Sequence, residues 1–209
     1  MAESAGRRLA APARRPHATG YHAQAGPPLA DHGAQAKHHG GEALPDTGPG
    51  KMWFGPQVDL YFEDFHKGQR FDLGSTEIRE AEMLDFARRY DPQPFHVDPA
   101  QAQMTIFHGL IASGWQTAGI WMRLYCQAVL LRSASLGSPG VEDLRWLAPV
   151  RPGDSLNGTV EVLSVSPSRT NPARGTVVIA GELVGGDEKP RMRLRAWGHF
   201  ARRTQAERT

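Results

Sequence analysis

The sequence predicts an α+β fold in which a curved antiparallel sheet wraps around a long central helix, and three observations predict it. Leu110 to Ser133 is the longest apolar segment, with Ile111, Ala112, Trp115, Ala118, Ile120, Trp121, Leu124, Val129 and Leu130 distributed over most of a helical circumference. A helix apolar nearly all round is one enclosed by other structure. Four strand-like runs then follow in succession, Val141–Pro149, Ser155–Ser166, Gly175–Val184 and Pro190–Ala201. The turns between them, Arg151-Pro152-Gly153-Asp154, Asn171-Pro172 and Gly185-Gly186-Asp187, are short enough to join antiparallel neighbours. One strand and two small helices precede the apolar segment, so helices and strands are segregated along the chain.

Taken in order, composition changes abruptly near Lys51. Residues 1–51 are rich in Gly, Ala, Pro and His, hold one aromatic residue (Tyr21), and contain no Ile, Val, Phe or Trp. Such a segment cannot bury enough apolar surface to offset the entropy of ordering it, so a disordered, low-complexity extension is expected. Its histidines, His17, His22, His32, His38 and His39, lack the spacing of a coordination sphere and read as a solvated tail. Arg7, Arg8, Arg14 and Arg15 suggest a transit peptide, but Asp31, Glu42, Asp46 and the many Pro and Gly fit that class poorly. Met52, at the junction, is a second candidate translation start. A folded domain is expected over residues 52–204, with a flexible tail at 205–209.

Within the domain, His66-Lys67-Gly68-Gln69 is a turn, and Arg70 to Ile78 alternates as a first strand. Ala81 to Tyr90 is an amphipathic helix with Met83, Phe86, Ala87 and Tyr90 on one face. It stops at Asp91-Pro92, because the residue before proline is steered out of the helical region. Asp98-Pro99 has the form of an N-cap followed by proline at the first helical position, and opens a second short helix. In the last run, Arg191, Arg193 and Arg195 alternate with Met192, Leu194 and Ala196, which places the arginines on a solvent face.

Bulk properties exclude several classes. The formal net charge is +2, too small for a field that draws the chain to nucleic acid or an anionic membrane, and no recognition motif is present. No apolar run reaches the roughly 18 residues that span a bilayer, and Leu9-Ala10-Ala11 meets Pro12 before a secretory apolar core can form. The single cysteine, Cys126, excludes an internal disulfide and a Cys-based zinc cluster. A cytoplasmic location is the simplest expectation.

Chemistry concentrates in Tyr90-Asp91-Pro92-Gln93-Pro94-Phe95-His96-Val97-Asp98-Pro99. A carboxylate and an imidazole five residues apart are joined there by two prolines, which stiffen the loop between them. That suits a pair sharing one water molecule. Further on, Phe107-His108-Gly109-Leu110 places a glycine immediately before the central helix, where an amide can approach a ligand carbonyl. Each feature alone also has a structural explanation: Asp91 as a helix stop, His96 as a satisfied core histidine, Gly109 as a loop glycine.

The run Asp91-x-Gln93-Pro94-Phe95-His96-x-Asp98-Pro99-x-x-Ala102, followed by Phe107-His108-Gly109-Leu110, resembles the hydratase motif of the MaoC-like and (R)-specific enoyl-CoA hydratase family. The resemblance extends from about Phe62 to Phe200. It implies a hotdog fold, homodimerisation, and hydration of trans-2-enoyl-CoA or dehydration of 3-hydroxyacyl-CoA, with no metal or redox cofactor. Asp91 and His96 would bind and activate the water, with Asp91 returning a proton at C2, and the Gly109 amide would receive the thioester oxygen. Gln93, Phe95, His108, Leu110 and Thr117 would be substrate-binding positions, with Thr117 standing near a serine that supports the acid in some members. Two departures are expected to matter. Gln93 replaces the usual asparagine and braces the loop through its amide, and Tyr90 replaces a small residue and reshapes the acyl pocket.

Trp115 and Trp121 read as core, and His199 and Cys126 as structural. Arg145, Arg151 and the Arg191–Arg193–Arg195 series are alternatives for gripping coenzyme A phosphates. A thioesterase of the same fold and a non-catalytic acyl-CoA-binding protein are the competing functions; release of free thiol distinguishes the first, and ligand-induced stabilisation without turnover the second.

Overall fold

The computed structural model describes residues 58–204. The expected disordered extension over 1–51 and flexible tail over 205–209 lie outside the described residues. Strand β1 (Arg70–Glu77) leads to three helices, α1 (Glu80–Tyr90), α2 (Pro94–Val97) and α3 (Pro99–Gln103), and then to the long α4 (Gly114–Ala128). Two minimal strands, β2 (Gly140–Val141) and β3 (Arg145–Trp146), precede the long meander β4 (Ser155–Pro167), β5 (Arg174–Gly185) and β6 (Pro190–Ala201). The antiparallel sheet runs β1-β4-β5-β6, with β2 and β3 paired to the far edge of β6. Helix α4 packs on β1, β4 and β5. This is the hotdog arrangement.

The core lies between α4 and one face of the sheet. Strand β5 alternates strictly, sending Val177, Ile179 and Leu183 inward to meet Trp121, Leu124 and Val129. Each fully buried Val or Leu side chain contributes roughly 1.5–3 kcal/mol. The indole of Trp121 also donates to the Thr159 carbonyl at 3.2 Å, so the largest core side chain leaves no buried polar atom unpaired.

Four details differ from the expectations. The helix expected over Leu110–Ser133 begins only at Gly114, because Ile111 and Ala112 donate their amides to the Phe95 and Val150 carbonyls instead of to a helical ladder. It ends at Ala128 and passes into a 3₁₀ turn, Leu130–Arg132. The sheet also covers only one face of α4: Trp115, expected in the core, is 62% exposed, and Met122 is exposed with it. Third, the run Val141–Pro149 is two short strands. Val141 pairs with Ala196 and Arg145 with Arg193, so three residues face two and a bulge interrupts the ladder. Fourth, Arg191 is 8% exposed and does not belong to a solvent-facing series. Leu183 pairs with Met192 and Val184 with Pro190, so Arg191 sits in a bulge and turns inward, where Asp187 and Asp154 meet its charge at 2.9 and 3.7 Å. Arg193 and Arg195 are exposed.

Candidate active site

The loop between α1 and α3 follows from its prolines. The amide of Asp91 closes α1 on the Ala87 carbonyl, and Pro92 prevents another turn. Pro94 opens α2 at its first position, and the His96 amide donates to the Gln93 carbonyl at 2.8 Å. Asp98 then caps α3, its side chain accepting from the Ala100 and Gln101 amides. One short turn thereby separates Asp91 from His96 and points both inward.

His96 is 5% exposed, and its Nδ1 lies 2.8 Å from the Ile111 carbonyl oxygen. A carbonyl only accepts, so this contact assigns the proton to Nδ1. A ring carrying only that proton presents the Nε2 lone pair, and Nε2 stands 3.3 Å from Asp91 Oδ2. The Asp91 carboxylate receives two further hydrogen bonds, from Gln93 Nε2 to Oδ1 at 2.8 Å and from Ser113 Oγ to Oδ2 at 2.7 Å. Burial raises the Asp91 pKa, but the hydrogen bonds from Gln93 and Ser113 outweigh it and hold the carboxyl below the usual carboxylate range.

Facing the pair is a cavity of about 410 Å³. Asp91, Gln93, His96 and Thr117 line it, together with Phe95, Phe107, Ile111, Trp115, Trp146 and Leu147. One wall is pinned: Trp146 Nε1 donates to the Gly114 carbonyl at 2.8 Å, and its ring meets Trp115 edge-on at 5.4 Å between centroids. Gly114 is required for this approach, since a Cβ there would lie 2.5 Å from Trp146 Cε2.

Of the residues expected at the site, Asp91, Gln93, Phe95, His96 and Thr117 share this cavity, whereas His108, Gly109 and Leu110 are not among its lining residues. Leu110 is buried in the core, and His108 is exposed with φ +48°. Gly109, at φ +138°, donates its amide to the Ala102 carbonyl at 3.1 Å. Tyr90 does not shape the cavity: it is 71% exposed and packs on Phe86, centroids 5.0 Å apart. Thr117 donates its hydroxyl to the Ser113 carbonyl at 3.2 Å, and Ser113 is the residue that touches Asp91. The sequence does not single out Ser113 or Trp146. Ser-Gly is a helix-start signal, but it lies inside an apolar run that reads as continuous helix. Trp146 reaches the site only through the β3 pairing.

Among the described residues, no helix is long and apolar enough to cross a membrane. The model of the MaoC like domain family matches residues 64–181, more than half of the chain. Over 130 residues the sequence is 37% identical to an (R)-specific enoyl-CoA hydratase of Rhodospirillum rubrum, covering 59% of this chain and 85% of the relative. Over 115 residues it is 35% identical to a 3-hydroxybutyryl-CoA dehydratase of Methylorubrum extorquens, covering 53% and 68%. The crystal structure of the MaoC-like dehydratase from Rhodospirillum rubrum superposes with a TM-score of 0.65 at 37% identity, covering 70% of this chain and 99% of that one.

Proposed function

The chain belongs to the MaoC-like domain family, and from the site this fold builds we propose that it adds water to a trans-2-enoyl-CoA, or removes it from a 3-hydroxyacyl-CoA, by Asp91/His96 acid–base catalysis. The observation that supports this most directly is the paired placement of Asp91 Oδ2 and His96 Nε2, 3.3 Å apart on a cavity wall, with the imidazole proton committed to Ile111. Two acceptors so placed take the two protons of one water and leave an oxygen lone pair for attack. The water oxygen forms a bond to C3, the C2–C3 π pair moves toward the thioester, and one water proton passes to the Asp91 carboxylate. Asp91 returns that proton to C2 on the same face, which is syn addition and restores the carboxylate.

Charge gathers on the thioester oxygen during this step, and the Gly109 amide receives it. That requires the amide to exchange its Ala102 acceptor for the substrate, a backbone adjustment that glycine permits at φ +138°. The exposed Trp115–Met122 face of α4 is the surface that a second copy covers in a homodimer. The test is loss of enoyl-thioester absorbance on mixing the protein with crotonyl-CoA, with Asp91→Asn as control. Loss with the wild type alone and no free thiol is expected. Thiol release would instead make it a thioesterase, and equal rates in the two proteins would remove Asp91 from the reaction.

A further inference from the structure

The segment that carries Gly109 and serves His96 is held from outside the cavity by one side chain, Arg151. Its guanidinium donates from Nη2 to the Phe107 carbonyl at 2.5 Å and from Nη1 to the Leu110 carbonyl at 3.4 Å. Nη1 also lies 3.1 Å from the point that a Cβ on Gly109 would occupy, so the guanidinium fills the hollow of the turn. Inside that turn His108 adopts φ +48°, a region non-glycine residues seldom visit. Such a conformation persists where its surroundings over-determine it. A planar guanidinium with divergent donors suits two separate carbonyls, whereas an ammonium is a single point charge.

Arg151 is itself fixed. Its amide donates to Asp154 Oδ2 at 3.0 Å, and the Asp154 amide donates back to the Arg151 carbonyl at 3.1 Å. The buried Arg191 stands behind the same carboxylate, with Nε 3.7 Å from Oδ2. The neighbouring Val150 carbonyl accepts from Ala112 at 2.8 Å, so two consecutive residues grip the segment 107–112 near both ends. Between those grips lie Gly109 and the Ile111 carbonyl that sets the His96 tautomer.

We propose that Arg151 is a positioning residue of the reaction: by holding the Phe107 and Leu110 carbonyls it fixes the frame of the turn within which the Gly109 amide swings from Ala102 to the substrate, and with it the place of the Ile111 carbonyl. This rests on the hydratase reading. Arg151 does not line the cavity, and two of its three guanidinium nitrogens are committed to backbone carbonyls, so it acts through the turn and not on the substrate.

The experiment compares wild type, Arg151→Lys and Arg151→Ala on crotonyl-CoA and on crotonyl-pantetheine, which lacks the nucleotide phosphates. Small misplacements of reacting groups cost up to about 10²-fold, so kcat is expected to fall by that order in Arg151→Ala, equally on both thioesters, with KM little changed. Guanidinium ion at non-denaturing concentration restores part of that kcat. A KM rise confined to crotonyl-CoA would assign Arg151 to coenzyme A phosphate and overturn the proposal, as would unchanged kcat in both variants. If Arg151→Ala does not fold, Arg151→Lys decides on the same two thioesters. Wild type inactive on both would instead refute the hydratase reading. Positioning is then read from the ¹⁵N signals of the Gly109 amide and the His96 ring: displacement in Arg151→Lys sustains it, and coincidence with wild type ends it.

Discussion

Ser113 Oγ donates to Asp91 Oδ2 at 2.7 Å while accepting from the Trp115 amide at 3.2 Å, so one hydroxyl caps the central helix and holds the carboxylate. The two tasks reinforce each other. A capped helix start is a fixed point, and a carboxylate tied to a fixed point keeps its orientation toward His96. The positive end of a 15-residue helix lies on the same side.

Replacing Ser113 with Ala therefore removes two interactions at once. Loss of an N-cap costs about 1 kcal/mol, and a hydrogen bond to a charged group contributes about 1.5–3 kcal/mol. We expect a melting temperature lower by several degrees and kcat/KM lower by roughly 10- to 100-fold. Thermal unfolding and steady-state hydration of crotonyl-CoA measure the two. A variant that melts lower yet turns over normally would restrict Ser113 to capping.

The pH dependence has a definite sign. Asp91 acts as the carboxylate, and its folded pKa lies below the ordinary value, so activity is retained down to unusually acidic pH and is lost as pH falls through that lowered pKa. The same depression contributes stability above the unfolded carboxyl pKa, and this is lost over the window down to the folded one. In Gln93→Leu the Oδ1 hydrogen bond disappears while the burial that raises the pKa remains. The acidic limb of kcat/KM should then move to higher pH. A profile identical to wild type would show that Gln93 does not tune the acid.

Gly114→Ala drives a methyl group into the Trp146 indole, which has no flexible end to yield. Overpacking of this kind costs about 1–3 kcal/mol, and the Trp146–Gly114 hydrogen bond that fixes the cavity wall is strained with it. Trp146 fluorescence should shift, and the ratio of kcat/KM for crotonyl-CoA over a longer enoyl-CoA should change more than either melting temperature or Asp91-dependent chemistry predicts. An unchanged ratio would mean that this wall does not contact the acyl chain.

The elements most legible in sequence were those set by local rules. The Asp98-Pro99 helix start rests on a cap and a fixed φ. The end of α1 rests on the clash of Pro92 with helical backbone. The long strands β4, β5 and β6 show in their alternation and their turns. Legibility failed where backbone partners come from far along the chain. Leu110–Ser113 reads as helical because it is apolar, and it stays out of the helix because Phe95 and Val150 offer carbonyls to Ile111 and Ala112. Arg191 looked solvent-facing by period, and one bulge in β6 turned it inward to Asp154 and Asp187.

The site divides along the same line. Sequence by itself determined that Asp91, Gln93 and His96 share one short rigid loop, since two prolines and five residues leave them few arrangements. Only the tertiary structure decided what each of them touches. Ser113 reaches Asp91 from 22 residues away, Ile111 sets the His96 tautomer from 15, and Arg151 holds the Phe107 turn from 44. Hydrogen bonds across such distances are made by packing α4 and the β3–β4 turn against the loop, and no local propensity encodes them.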